Sequence, residues 1–395
     1  AGGQYVYLKE AFNDLTGFLF GWSFFTVIQA GTIAAVGVAF ARFTAFRFPI
    51  LSETNVLADL GFVKITAAQL TAILLVVFLT FVNTRGVREG KIIQTIFTLT
   101  KIVALLALIV FGCFAASRQV WDANWQSGFG FNKLEPTQLV SYSGFAVLGA
   151  IAASMVGGLF SSDSWNNVTF IAGEIKDPER NIGRSLFFGT LLVTAIYIAT
   201  NLIYLAVLPL HEIAFAENDR VGVAAAVRIF GNNGTMIIAV LLMVSTFGCV
   251  NGLILSGARV CFTMAKDGLF FKQMGLLNKN AVPGKALWSQ CIWASLLCLS
   301  GRYGQLFVVL IFYILTIAGI FRLRRTRPEI ERPYKAFGYP FIPMLYIIAA
   351  TIICLSLLVY KWENTWPGLL IVLLGIPAYY FFGKGKVEIN KALLN

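Results

Sequence analysis

Residues Gly157-Gly158-Leu159-Phe160-Ser161-Ser162-Asp163-Ser164-Trp165-Asn166-Asn167 put a dense polar group at the end of an apolar run. Six of the seven residues from Ser161 to Asn167 are Ser, Asp or Asn. Such side chains bond nearby backbone and prefer caps to helix interiors. Placed after two glycines, they predict a helix that stops with free carbonyls near Phe160–Ser162. A second half would restart with Asp163 or Ser164 as its N-cap. Unwound backbone at membrane depth is tolerated only where it lines a cavity or is buried in protein. Secondary transporters build binding sites from such breaks. The other reading is a polar seam between helices, with Asn and Ser as glue.

Two isolated cations accompany this segment. Lys101 lies about nine residues into the otherwise uncharged stretch Ile92–Ser117, and intramembrane charge is costly. Three roles suit it: pairing with Asp163, bonding the carbonyls of a broken helix, or losing its proton on burial. Snorkelling to the membrane surface is the plainer role. Arg259 sits close to the end of its span and reads as an interfacial anchor. His211 is the chain's one histidine, and the six cysteines all lie in apolar runs. A zinc site, a disulfide framework and a Ser-His-Asp relay therefore lack material. No Walker-type phosphate loop occurs either. No metal or other cofactor is expected, and an enzyme is the weakest reading.

The elements that must carry these residues are membrane helices. Of 395 residues, 58% are hydrophobic and 13% charged, whereas soluble domains carry about 25% charge. Continuous uncharged runs, rather than alternation, exclude a barrel. The runs predict ten spans, about 15–46, 65–84, 92–117, 138–172, 185–209, 235–264, 286–300, 304–321, 341–360 and 365–383. They form a single transmembrane domain over residues 1–395, an all-α polytopic bundle. The pair between Ala286 and Phe321 is tight, so one helix should be short, with its turn at Gly301-Arg302-Tyr303-Gly304.

Ten spans divide the loops into two alternating sets. One set carries 20 Lys and Arg and the other nine. The richer set faces the cytoplasm under the positive-inside rule, which puts both ends of the chain inside a cell membrane. This distribution argues against nucleic acid as a partner for the +12 net charge. Ser245-Thr246-Phe247-Gly248-Cys249-Val250-Asn251-Gly252 reads as a close-packing helix face. Tyr379-Tyr380-Phe381-Phe382 reads as an interfacial belt.

With these residues in view, the chain resembles amino-acid permeases of the amino acid–polyamine–organocation group, and among them the L-type amino-acid exchangers. The likeness rests on Gly2-Gly3-Gln4-Tyr5-Val6-Tyr7-Leu8-Lys9-Glu10, on Gly158-Leu159-Phe160 with Trp165-Asn166, and on Glu174 with Asp177-Pro178-Glu179-Arg180-Asn181. It continues in Ala265-Lys266-Asp267-Gly268 and in Arg327-Pro328-Glu329 with Glu331-Arg332-Pro333. The resemblance implies a leucine-transporter-like inverted-repeat fold with about ten of twelve helices present, the first two missing from this chain. It implies a substrate site with Phe160 as a gate, the carbonyls of Phe160, Ser161 and Ser162 on the substrate ammonium, and Gln29 and Thr32 on a bordering helix. Asp163, Trp165 and Asn166 complete the expected site, and Lys101 occupies a sodium-like position as the coupling residue. The implied function is secondary transport of amino acids, neutral ones foremost, by alternating access with exchange or proton coupling. A non-transporting scaffold or binding module of the same fold is the alternative.

Two features depart from the family's pattern. Gly-Gly usually stands where this chain has Asp163-Ser164, so a carboxylate there would cap the second half-helix or alter charge preference. Family members in animals join a heavy-chain glycoprotein through a cysteine, and residues 47–64 contain none. Such a partner is therefore not expected.

Overall fold

The computed structural model describes the chain except residues 1, 60, 62–63, 127–131, 135–138, 142, 218–219, 301–305, 333–335, 361 and 394–395. A short helix α1 (Gln4–Ala11) leads into α2 (Asp14–Ser23), which runs through a π-helical turn at Phe24–Ile28 into α3 (Gln29–Ala45). Next in the chain are α4 (Ala67–Arg85), α5 (Val87–Ala115), α6 (Arg118–Trp125), α7 (Phe145–Ser161) and α8 (Pro178–Val207). Beyond them come α9 (Leu210–Ala214), α10 (Val221–Phe230), α11 (Gly234–Lys266) and α12 (Gly284–Ser300). The last three are α13 (Leu306–Thr326), α14 (Phe341–Tyr360) and α15 (Trp362–Leu393). Two antiparallel ribbons decorate the loops, Val56–Asp59 with Lys64–Thr66 and Asn132–Leu134 with Leu139–Ser141.

Local chemistry sets several boundaries. Asn13 caps α2 by accepting from the Thr16 amide, and Thr66 with Gln69 forms a capping box on α4, each satisfying a first-turn amide. Pro178 starts α8 at a position whose missing N–H costs nothing.

Among the described residues, eight helices are long and apolar enough to cross a bilayer. They match eight of the ten expected spans. The other two are α7 and α12, with 17 residues each, at the lower end of what crosses about 30 Å. The short member of the tight pair is α12, and its turn at 301–304 lies outside the described residues. Within the span expected over 138–172, the first α-helical stretch is Phe145–Ser161.

The core lies where α2–α3, α11, α12 and α13 meet, with Phe18, Phe20, Ile33, Ile254, Met264, Ala294 and Val308 buried. Small residues let α11 approach its neighbours, as expected of 245–252. A Cβ on Gly248 would lie 2.6 Å from Phe97 Cβ, and one on Gly252 3.0 Å from Gln94 Oε1. Large apolar side chains on the outer faces of α5 and α8, such as Leu99, Val103, Phe187 and Leu191, are exposed. Such faces suit lipid rather than water.

The corner from α10 into α11 yields a prediction. A Cβ on Gly234 would sit 2.2 Å from the Ala226 carbonyl oxygen, which is backbone and cannot swing aside. Gly234→Ala should cost about 1–3 kcal/mol, typical of overpacking. The check is the unfolding midpoint in detergent micelles. Gly183→Ala, with nothing within 4 Å, should not lower it.

Candidate functional site

Helix α7 ends at Ser161 because the next residues leave the helical path. Ser162 N–H still reaches the Gly158 carbonyl at 3.1 Å, but Ser164 adopts φ +65°. That left-handed conformation costs a non-glycine residue and stops the helix. Beyond Ser164 the expected second α-helix gives way to two 3-10 turns. These turns, Asn167–Thr169 and Ala172–Glu174, carry the chain to α8. Asp163 therefore caps no half-helix. Its carboxylate instead accepts from the Tyr313 hydroxyl at 2.7 Å, across 150 residues of sequence.

Two cavities meet at this turn. The larger, about 610 Å³, is lined by Lys101, Ser161, Ser162, Asp163, Trp165 and Tyr197 among others, within the range of small-molecule sites. The smaller, about 20 Å³, lies on the other side and touches Gln4, Gln29, Asp163, Asn166, Phe170 and Tyr313. It has room for about one water. Asp163, Ser164 and Asn167 line both, so the turn forms the wall between them.

The expected site residues differ in their access to these cavities. Ser161 and Ser162 are exposed to the larger cavity. The Ser161 carbonyl accepts from Tyr197 Oη at 3.0 Å, leaving it one lone pair for a ligand. Trp165 is 44% exposed, its ring 6.0 Å from that of Tyr313. Asn166 is buried and donates to Gln4 Oε1 at 2.8 Å. Gln29 is buried against the Leu253 carbonyl at 2.6 Å. Thr32 turns to its own helix, donating to the Ile28 carbonyl at 2.7 Å, and lines neither of these two cavities. The Phe160 side chain lies outside the described residues.

The two cations lie in different surroundings. Lys101 faces the larger cavity but makes no ion pair with Asp163, whose carboxylate bonds the Tyr313 hydroxyl instead. Arg259 is no surface anchor. It is 5% exposed, and its guanidinium grips Glu174 with Nε to Oε1 at 2.6 Å and Nη2 to Oε2 at 3.0 Å. Its Nη1 bonds the Leu255 carbonyl. The apolar surroundings of α11 make the paired state the stable one.

Comparison with known proteins decides the family. The profile described as amino acid permease matches residues 1–380. The chain belongs to the amino acid permease family. Curated relatives span nearly all of it. The serine/threonine exchanger SteT of Bacillus subtilis is 29% identical over 395 residues, covering 98% of this chain and 83% of that protein. The b(0,+)-type amino acid transporter 1 of Mus musculus is 28% identical, covering 97% and 74%. The Asc-type amino acid transporter 1 of the same species is 26% identical, covering 96% and 68%.

This permease is a multi-pass membrane transporter of amino acids rather than an enzyme, and its helical membrane bundle agrees with that class. Sequence reasoning assigned no site role to three residues at this candidate site: Gln4, Tyr197 and Tyr313. A tyrosine within the apolar run of α13 was the one available hint, since a buried phenol needs a partner.

Proposed function

We propose that this permease works as an amino-acid exchanger by alternating access, its single transmembrane domain being residues 1–395. The observation that carries the reading is the unwound turn at Ser162–Asn166, which walls the 610 Å³ cavity at the end of α7. A zwitterion there meets the carbonyls of Phe160, Ser161 and Ser162 with its ammonium group. Phe160 acts as the gate and Trp165 borders the site; Asn166 and Gln29 stand behind its wall on the smaller cavity, and Thr32 lies farther along the same helix as Gln29. Neutral amino acids are the foremost class, and the Asp163 carboxylate extends the range to cationic ones. The serine/threonine exchange named for the Bacillus subtilis relative supports small neutral substrates. Lys101 supplies a cation where a coupling ion would sit, so transport runs without sodium. The loops rich in Lys and Arg face the cytoplasm of a cell membrane, and both ends of the chain lie there.

The test is uptake of labelled L-serine into proteoliposomes. Internal unlabelled amino acid should speed entry at least tenfold over empty vesicles, with or without sodium. Competition by all twenty amino acids then orders the substrates. Entry indifferent to internal amino acid overturns exchange. Strict dependence on sodium overturns the role given to Lys101.

A further inference from the structure

Helix α1 is more than a lead-in to the first span. Its buried face carries Gln4, Tyr5, Leu8 and Ala11, and ties run from it in two directions. Toward the unwound turn, Gln4 Oε1 accepts from Asn166 Nδ2 at 2.8 Å, and the Gly2 amide bonds the Phe170 carbonyl at 3.3 Å. The same glutamine donates to Thr316 Oγ1 of α13 at 3.1 Å. Both ends of its amide are thereby engaged, and its orientation is set. Toward the exit of α11, Tyr5 Oη donates to Asp267 Oδ2 at 2.8 Å and Lys9 Nζ meets the same oxygen at 2.5 Å. Burial and the Asp267 carboxylate push the Tyr5 phenol well above its usual range, so it stays a donor.

The seat is tight at its head. Gly3 has φ +50°, and a Cβ there would lie 2.2 Å from Phe170 Cδ1. Only glycine lets α1 lie this close under the 3-10 turn. Asn166 in turn has its Oδ1 3.4 Å from the Tyr313 hydroxyl that donates to Asp163. A continuous polar path therefore leads from the wall of the site to α1, and from α1 to a clamp at Asp267.

We propose that Gln4 is a positioning residue of the substrate site: it fixes the Asn166 amide and so the turn at 162–166, while Tyr5 and Lys9 clamp its helix to Asp267. The proposal rests on reading that turn as the substrate site. Gln4 touches no substrate and acts through Asn166. Because the clamp and the turn share one short helix, moving the turn must either break the Gln4–Asn166 bond or carry α1 with it.

The experiment compares Gln4→Leu, Gln4→Glu, Asn166→Ala and the double variant Gln4→Leu/Asn166→Ala in proteoliposomes, with labelled L-serine as probe. Gln4→Leu removes the bonds to Asn166 and Thr316; through the first of them it should raise the half-saturation concentration about tenfold and leave maximal exchange within about twofold. Gln4→Glu keeps an acceptor for Asn166 and should recover most of the affinity. The double variant should be no worse than Asn166→Ala alone, as expected of residues acting through one bond. A lowered unfolding midpoint with unchanged half-saturation overturns the proposal, as do fully additive effects. A second readout needs no transport: Thr169→Cys, at a buried position beside the seat of Gly3, should react several-fold faster with a water-soluble thiol reagent when Gln4 is Leu. Equal reaction rates overturn the positioning role. Failure of the wild type to move any amino acid instead overturns the transport reading, and the thiol rates still judge Gln4.

Discussion

Glu174→Ala should destabilise the protein by about 3 kcal/mol, and more than Arg259→Met does. The asymmetry arises from where the two charges sit. The Arg259 side chain is 6% exposed, whereas that of Glu174 is 44% exposed. Removing the carboxylate strands a guanidinium among the side chains of α11, with the Leu255 carbonyl as its remaining partner. Breaking a buried pair in that way costs about 3–5 kcal/mol, and the half-open carboxylate argues for the lower end. Removing the arginine leaves a carboxylate that can turn to water, at a cost of about 1 kcal/mol from lost packing and bonds. The double variant Glu174→Leu/Arg259→Met removes both charges and should recover most of the loss. Unfolding midpoints in detergent micelles give the order directly. A double variant as weak as Glu174→Ala would show that the stranded charge is not the cause.

That pair marks the boundary of what local sequence could reveal. The spans were legible because about twenty uncharged residues in a row admit few other fates. The end of α7 was legible because Ser, Asp and Asn crowd behind two glycines. Each signal lies within one stretch of chain. The course after Ser161 was not legible, since caps and turns use the same residue types. Only the left-handed Ser164 separates a restarted helix from 3-10 turns. Partners far apart in sequence were hidden for a different reason. Arg259 and Glu174 are 85 residues apart, Asn166 and Gln4 162, and Tyr313 and Asp163 150. No periodicity reports such pairings, and an isolated Arg near a helix end looks the same whether it faces lipid headgroups or a carboxylate. Lys101 shows the converse. Its isolation marked it out, but pairing with Asp163 was one of several options and the structure directs that carboxylate to Tyr313.

Asp163→Asn should lower the uptake of L-lysine relative to L-serine by about 100-fold. The argument starts from a carboxylate in the wall of the cavity, held by a phenol at 2.7 Å and by the Ser164 backbone, and making no ion pair among the described residues. A charge removed from water without a counter-charge is unfavourable. A ligand that brings a side-chain cation to this wall, besides the α-ammonium held by the carbonyls of Phe160–Ser162, regains that energy, and a substrate with an uncharged side chain does not. Differential recognition of this kind, with a charge-assisted bond worth about 1.5–3 kcal/mol, corresponds to between about ten- and 150-fold in selectivity. Asparagine keeps the shape and an acceptor for Tyr313 but removes the charge, so L-serine exchange should persist. Tyr313→Phe is the companion variant. It removes the carboxylate's side-chain donor, and should retain the preference for L-lysine while weakening the Asn166 side of the turn. Initial rates at several concentrations for both substrates separate these outcomes. A wild-type protein that excludes L-lysine, or an equal fall for L-lysine and L-serine in Asp163→Asn, would sink the charge-selecting role and leave Asp163 as a packing partner of Tyr313.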